Sequence, residues 1–260
     1  MSILNSSNSN NQYLLNLPPA LAHCEKCLAI SKAMGWNHNQ QIYCPVCRVE
    51  YIVHGNFKIE PFRAYFRKRD LYIDIDNPIQ HIKNLNIIGS NIQQYSPDYP
   101  PIKGLFEAIN SAQKFIHFTT FGINQQILGA LKLAAQRIQV RGIVSLPPDQ
   151  AWLLPELECY RNEAPGLEIK AVCASSRNWE ELPHQKLVVI DGLLAFKGSV
   201  NLTQTAWRKA ARGYDEVEVL TDVEKVINLH NRYFSPIWGD LSEYGDAIAI
   251  DDSSNDTSAA

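Results

Sequence analysis

Apolar positions in the second half of the chain repeat with two different periods. Spacings of three and four residues predict helices over 102–114, 125–137, 149–162 and 223–233. Runs rich in β-branched and aromatic residues predict strands over 115–121, 138–146, 167–172 and 216–220. Because helices and strands alternate, we predict an α/β domain over residues 87–240, with a mixed, largely parallel sheet flanked by helices on both faces.

Residues 184–201 have a different pattern, in which two apolar runs flank the pair Asp191-Gly192. Asp-Gly between apolar runs predicts a β-hairpin. His184 and Lys186 are two residues apart, so a strand would direct both side chains to one face. The hairpin would also return residues 199–201, which follow its second strand, to the end where the first strand begins.

Four polar side chains are therefore expected to converge at one end of the hairpin: His184, Lys186, Ser199 and Asn201. This set suits an anionic oxygen compound. An ammonium group neutralises charge, a hydroxyl and a carboxamide donate hydrogen bonds, and an imidazole transfers protons or attacks as a nucleophile. The alternative is an ordinary core hairpin that carries one histidine and one lysine on its surface.

The spacing H-x-K, four residues, Asp, six residues, G-S-x-N resembles the signature of the phospholipase D superfamily, and its six fixed positions all match. The resemblance covers about 150 residues, because Tyr-Ser-Pro at 95–97 and the helix and strand over 102–121 also resemble small single-motif bacterial endonucleases. It implies a phospholipase D-like mixed sheet. The similar stretch His81-Ile-Lys83 has no aspartate at the matching position, so the chain carries one motif.

The resemblance implies a role for each matching residue. His184 would be the nucleophile that forms a phosphohistidine. Lys186 and Asn201 would bind the non-bridging phosphate oxygens, with Ser199 in support. Asp191 matches the family aspartate, whose role is more structural than chemical.

A sixth residue, Glu216, matches the family glutamate that hydrogen-bonds the catalytic histidine and fixes its tautomer. In the family an asparagine precedes that glutamate by two positions, whereas this chain has Tyr214. The preceding stretch, 206–213, is also a few residues longer. The sequence therefore departs from the family pattern next to Glu216.

In-line displacement at phosphorus places the attacking and leaving groups on opposite sides, so one imidazole cannot attack and also protonate the leaving oxygen. A chain with one motif needs a second copy to supply the other histidine. We therefore predict a homodimer with one composite active site. His117, on the strand predicted over 115–121, is the rival partner within the chain, although we expect it to be a core or site-lining histidine.

The N-terminal part of the chain contains two C-x-x-C pairs: Cys24, Cys27, Cys44 and Cys47. Their spacing is typical of a four-cysteine zinc site, in which each pair contributes two thiolates to one tetrahedral metal. We predict a zinc-ribbon-like module over 14–76, with a structural zinc that catalysis does not require. The alternatives are two unrelated thiol pairs or a redox pair, and His23 and His38 are further candidate ligands.

Composition indicates an ordinary globular protein, with 45% hydrophobic and 20% charged residues and a formal net charge of -3. Whole-chain charge therefore gives no support for nucleic acid or an anionic membrane as partner. The polar start at 1–13 and the acidic end at 241–260 are predicted to be disordered or flexible. With no apolar run of membrane-spanning length and no secretory signal, we expect a cytoplasmic protein.

Two local basic clusters are compatible with nucleic-acid contact. The first mixes basic and aromatic residues: Phe62, Arg63, Tyr65, Phe66, Arg67, Lys68 and Arg69. Its alternative interpretation is aromatic side chains packed inside with solvated charges outside. The second cluster follows the motif: Lys197, Arg208, Lys209 and Arg212.

Three functions remain open at this point. A metal-independent nuclease acting on DNA or RNA is favoured by the single motif, the zinc ribbon and the local basic residues. A phospholipase D or phosphatidyl transferase acting on phospholipids is the first alternative, although no amphipathic membrane-binding stretch is visible. A catalytically idle zinc-ribbon binding protein is the second, and the intact motif argues against it.

Overall fold

The computed structural model describes residues 21–33, 36–53, 58–60, 62–64, 77–94, 96–173, 183–213, 215–243 and 247–249. They form a six-stranded antiparallel sheet followed by a seven-stranded mixed sheet with helices. The predicted α/β class and the small N-terminal module are both confirmed. The two predicted flexible ends, apart from 241–243 and 247–249, and the basic segment 65–69 lie outside the described residues.

Six strands of the mixed sheet are predicted from the sequence, and the seventh, Ala247–Ala249, lies in the segment predicted to be flexible. The sheet contains β7 (Phe115–Thr120), β8 (Gln139–Leu146), β9 (Leu167–Cys173), β10 (Leu187–Ile190), β11 (Leu194–Gly198), β12 (Val217–Leu220) and β13 (Ala247–Ala249). The spatial order is β12-β11-β10-β7-β8-β9-β13. Neighbours from β7 to β13 run parallel, whereas β10, β11 and β12 pair antiparallel. The parallel half arises from helical crossovers, and the antiparallel half begins with the motif hairpin.

Helices cover both faces of this sheet. They are α1 (Pro78–Gln94), α2 (Pro101–Ser111), α3 (Gln125–Ala135), α4 (Leu154–Glu163), α5 (Gln204–Ala210), α6 (Val223–Tyr233) and α7 (Ser235–Glu243), with a 3-10 helix at Pro148–Leu153. Gly89 of α1 lies against the side chains of Leu194 and Val219 on one face. The rings of His230 in α6 and of Phe234, between α6 and α7, pack on His117 of β7 from the other face. The pattern does not predict α1, α5 or α7, because α1 is rich in Asn and Gln and the other two are short.

The N-terminal sheet is built from short strands in the order β2-β1-β6-β5-β4-β3. These are β1 (Leu21–Cys24), β2 (Ile30–Lys32), β3 (Gln41–Tyr43), β4 (Glu50–Val53), β5 (Lys58–Glu60) and β6 (Phe62–Ala64). The strand β1 is buried along its whole length. Strands this short bury little apolar area, so the module depends on its cysteine cluster and on the larger domain.

The small module packs directly on the motif hairpin and on α6. The side chain of Asn231 accepts a hydrogen bond from the Ile30 N–H (2.7 Å) and donates one to the Ile30 carbonyl (2.8 Å). The Leu21 side chain lies 2.9 Å from where a Cβ of Gly192 would stand. An ion pair joins Lys32 to Glu224. The module therefore braces the closed end of the motif hairpin.

Three buried histidines lie where the two modules meet: His23, His117 and His230. The Nδ1 of His117 is 2.8 Å from the Nε2 of His230, and both rings pack on Phe234. Burial lowers the pKa of all three histidines, that of His230 to about 4. His117 is thus a fully buried core residue, enclosed within the fold.

The turn of the motif hairpin is fixed by a buried carboxylate. Asp191 and Gly192 both have positive φ (53° and 71°), and the Leu193 N–H donates to the Ile190 carbonyl, as in a type I′ turn. The Asp191 carboxylate accepts hydrogen bonds from three consecutive backbone N–H groups, those of residues 113–115, at 2.7–2.9 Å. His81 Nε2 lies 2.8 Å from the same carboxylate. One side chain therefore joins the turn, the start of β7 and α1.

We expect Asp191→Ala to lower the free energy of unfolding by about 3 kcal/mol or more, because three backbone N–H groups and the buried His81 would lose their acceptor. Urea denaturation followed by circular dichroism measures this loss. Asp149→Ala, at an exposed carboxylate of the 3-10 helix, is the matched control and should change stability by less than about 0.5 kcal/mol. Equal stability of the two variants would contradict the role of Asp191 in joining the turn to β7 and α1.

Candidate active site and metal centre

The two ends of the motif meet at the edge of the sheet where β7 and β8 end. In the sheet register Leu187 pairs with both Lys197 and Thr119. Residues that precede β10 and residues that follow β11 therefore lie beside the end of β7. His184 and Lys186 belong to the first group, and residues 199–201 belong to the second.

His184 and Lys186 are held by contacts at the start of β10. The Lys186 ammonium donates to the His184 carbonyl at 2.8 Å, and the Thr119 hydroxyl donates to the Gln185 carbonyl at 3.0 Å. The His184 ring packs edge-on with the Phe121 ring, with centroids 4.6 Å apart. Burial lowers the pKa of His184, and the nearby charge of Lys186 lowers it further. Partial burial also lowers the pKa of Lys186.

The other end of the motif is fixed through its backbone and through Asn201. The Asn201 Oδ1 accepts a hydrogen bond from the Phe121 N–H at 3.1 Å. The hydroxyl of Ser199 accepts from the Glu216 N–H at 3.0 Å. A Cβ on Gly198 would collide with the Glu216 carbonyl oxygen, which explains the motif glycine by the close approach of two backbones.

Two predicted site residues lie apart from this group. Asp191 sits in the turn at the opposite end of the hairpin. Glu216 is beside Ser199 through its backbone, but its carboxylate is exposed and, within the described part of the chain, makes no hydrogen bond or ion pair with His184. Tyr214, where the sequence departs from the family pattern, lies outside the described residues. The structure thus gathers four of the six predicted catalytic residues.

The predicted basic cluster after the motif divides into two parts. Lys197 is half-buried, with its ammonium 5.0 Å from the centroid of the Tyr233 ring. Arg208, Lys209 and Arg212 are exposed, on α5 and immediately after it. These three cations follow the motif along the chain and are accessible to solvent.

The four cysteines of the N-terminal module converge, as their spacing predicts. Each cysteine pair lies in a turn of the same form. The Leu28 N–H donates to the Cys24 carbonyl (2.7 Å), and the Arg48 N–H donates to the Cys44 carbonyl (3.2 Å). Leu28 and Arg48 both have positive φ, which turns each chain back around its cysteine pair. The four sulfur atoms lie within 4.8 Å of one another.

This cluster fits a tetrahedral metal. With metal–sulfur bonds of about 2.3 Å, sulfur atoms on a tetrahedron are about 3.8 Å apart. The Sγ–Sγ distances are 3.6 Å for Cys24 and Cys47 and 3.4 Å for Cys27 and Cys44. Tyr51 Oη lies 2.9 Å from the Sγ of Cys24 and adds an outer hydrogen bond. The four-cysteine group can therefore bind a metal such as zinc.

The chain belongs to the family described as "Cardiolipin synthase, PLD-like domain", whose model matches residues 105–238, just over half of its length. It is a member of the phospholipase D superfamily. The matched segment contains the motif hairpin and excludes the cysteine module.

Several solved structures resemble this one distantly. NucT from Helicobacter pylori is 20% identical with a TM-score of 0.36, over 51% of this chain and 84% of that one. Nuc from Salmonella typhimurium, a phospholipase D family member, is 18% identical with a TM-score of 0.41, over 57% and 90%. The archaeal chromatin protein TrmBL2 is 18% identical with a TM-score of 0.36, over 59% and 50%. Similarity at this level carries no information about substrate. No curated protein matches the chain in sequence.

Among the described residues, no helix has the length and apolar character needed to cross a membrane.

Two residues beside the motif are not identified by the sequence pattern. Phe121 contacts three motif residues, yet in the pattern it is an ordinary aromatic at the end of a strand. His81 belongs to the incomplete copy of the motif, although its ring binds the motif aspartate. A buried polar partner of this kind leaves no periodic signal, so only the tertiary contact identifies it.

We expect the purified protein to contain one zinc per chain, measured by inductively coupled plasma mass spectrometry, and Cys27→Ser to lose most of it. Because Cys27 packs on Gly239 of α7, metal loss should also lower the thermal midpoint of the catalytic domain, by roughly 5 °C or more. Cys159→Ser, at an exposed thiol outside the cluster, is the matched control. Equal zinc content in both variants would exclude the cluster as the metal site.

Proposed function

We propose that the protein is a metal-independent phosphodiesterase that acts through a phosphohistidine on His184, and that its substrate is a nucleic acid. The observation that supports the chemistry is that the two ends of the motif meet at one edge of the sheet, His184 and Lys186 on one end and Ser199 and Asn201 on the other. Phe121 contacts His184, Lys186 and Asn201 there. The lowered pKa of His184 favours the neutral imidazole that nucleophilic attack requires. An anionic phosphodiester bound between two copies would favour the protonated imidazole on the second one.

In the first step a ring nitrogen of His184 attacks phosphorus, so that an N–P bond forms and the P–O bond to the leaving group breaks. Lys186 and the Asn201 amide hold the non-bridging oxygens, where negative charge is greatest. The leaving oxygen takes a proton from a second, protonated imidazole on the far side. Water then attacks the phosphohistidine and gives a proton to that imidazole, which releases a phosphomonoester and free His184.

The second imidazole is proposed to come from another copy of the chain. His117 is enclosed in the core, and the sequence has a single motif. Two motifs facing each other across a two-fold axis would form one composite site, in which His184 of either copy attacks and its mate is the general acid.

Nucleic acid is favoured by charge and access. His184 and Ser199 are exposed, so the site is open to a polymer. Arg208, Lys209 and Arg212 follow the motif along the chain and are exposed, so they offer positive charge to a polyanion. A phospholipid is the second candidate, because the family description names cardiolipin synthase.

The first test is cleavage of supercoiled plasmid and of a single-stranded oligonucleotide in EDTA. Wild type and His38→Ala, at an exposed histidine of the small module, should cut, whereas His184→Ala should lose activity by a factor on the order of 10³ or more. Circular dichroism before and after chelation checks the fold. Cleavage by His184→Ala at the wild-type rate would indicate a contaminant. If neither wild type nor any variant cuts while the fold is intact, phosphatidylcholine and cardiolipin vesicles are the next substrates to test.

The composite site has its own test. Sedimentation velocity should give twice the mass of one chain. Co-expression of differently tagged wild-type and His184→Ala chains yields a heterodimer with one imidazole at the axis, and we expect it to lose activity by a factor on the order of 10² or more, since attack and protonation need both. A heterodimer that keeps half of the wild-type activity would contradict a shared site and support two independent ones.

A further inference from the structure

Phe121 follows β7 directly and contacts three of the four gathered motif residues. Its ring packs edge-on with His184, and its centroid is 5.6 Å from the Lys186 ammonium. Its backbone N–H donates to Asn201. Within the described residues, the motif histidine has no carboxylate partner that would orient its ring.

We propose that Phe121 is the positioning residue of this site: its ring fixes the orientation of the His184 imidazole, and its N–H fixes the orientation of the Asn201 amide. This inference rests on the proposed function, because it concerns the geometry of the same reaction. The role is one of support, since the ring has no group that can transfer a proton.

The asparagine contact decides which end of the amide faces the substrate. Because Oδ1 accepts from the Phe121 N–H, the two Nδ2 protons remain for an anionic oxygen. An amide turned the other way would present its oxygen to phosphate and repel it. The Phe121 N–H therefore selects the orientation of Asn201 that binds phosphate.

The ring contact acts on His184 in two ways. An edge-on aromatic pair restricts rotation of the imidazole and is worth about 0.5–1.5 kcal/mol beyond its buried area. The ring also removes water from one side of the imidazole, and burial is the main cause of its lowered pKa. Lys186 is the charged group that adds to this effect, while the Asp215 and Glu216 carboxylates lie on the Ser199 side.

The backbone on both sides of Phe121 is hydrogen-bonded, within itself and to the loop at Leu202 that follows Asn201. The Thr120 hydroxyl donates to the Gly122 carbonyl (2.7 Å) and accepts from the Leu202 N–H (3.0 Å). The Asn124 N–H donates to the Leu202 carbonyl at 3.0 Å. These bonds tie residues 120–124 to the loop that carries Asn201. A side chain carried by a backbone segment that is hydrogen-bonded in this way is suited to hold its neighbours in place.

The test compares Phe121→Leu and Phe121→Ala with Phe106→Leu, a matched change at a partly buried phenylalanine of α2. With bis(p-nitrophenyl) phosphate, the Phe121 variants should lose about 3- to 10-fold in kcat with little change in KM. The acid limb of the pH profile of kcat/KM should move to higher pH in these variants. Water admitted beside His184 favours the imidazolium form, so the pKa of His184 rises toward the ordinary histidine value of 6.5. Phe121→Tyr should restore both properties.

A titration without substrate separates this proposal from the proposed function. The His184 imidazole is followed by NMR, with its signal assigned by loss in His184→Asn, and its midpoint should rise in Phe121→Ala but not in Phe106→Leu. If wild type hydrolyses no phosphodiester, the proposed function fails and the titration alone decides the role of Phe121. An unchanged midpoint in a folded Phe121→Ala, with kcat equal to that of Phe106→Leu wherever activity is measurable, would overturn the proposal.

Discussion

The buried carboxylate of Asp191 holds together the part of the chain on which the site depends. It accepts hydrogen bonds from three backbone N–H groups just before and at the start of β7, and it contacts His81 of α1. The backbone of Asp191 is also part of the type I′ turn between β10 and β11. Side-chain period in a strand is two, so a slip of one residue in the hairpin would move Lys186 to the other face of the sheet. The Asp191 carboxylate, anchored at the closed end, prevents that slip. The pairing of β10 with β11 is therefore also fixed at the open end.

The two ends of the hairpin have separate tasks. The closed end is buried. Leu21 and Ile30 of the cysteine module lie against Gly192, and the Asn231 side chain makes two hydrogen bonds with the Ile30 backbone. The histidines at this contact are uncharged because burial lowers their pKa values. The open end is partly solvated and carries the polar residues of the motif. A metal in the four-cysteine cluster would thus stabilise the larger domain through the module that packs on it.

At the open end, electrostatics favour a neutral His184 imidazole beside the Lys186 ammonium. Lys186 is partly desolvated and lies close to His184, which discourages protonation of the imidazole. Many sites orient a histidine with a carboxylate, which raises its basicity. Here the described contacts supply an aromatic ring instead, which orients the imidazole without making it more basic.

The sequence by itself determined the class of the sheet, the hairpin with its Asp191-Gly192 turn, and the grouping of the four cysteines into one cluster. These follow from local rules: side-chain period, turn propensity and ligand spacing. It also separated His184, Lys186, Ser199 and Asn201 as a chemical group, because a hairpin of known length returns its ends together.

Only the tertiary structure decided that His117 is enclosed in the core and that His81 and Phe121 contact the motif. It also decided that, among the described residues, Glu216 makes no hydrogen bond with His184. The contacts of His81 with Asp191 and of Phe121 with Asn201 join residues 110 and 80 positions apart. Such contacts depend on how helices and loops pack against the sheet, which no local pattern encodes.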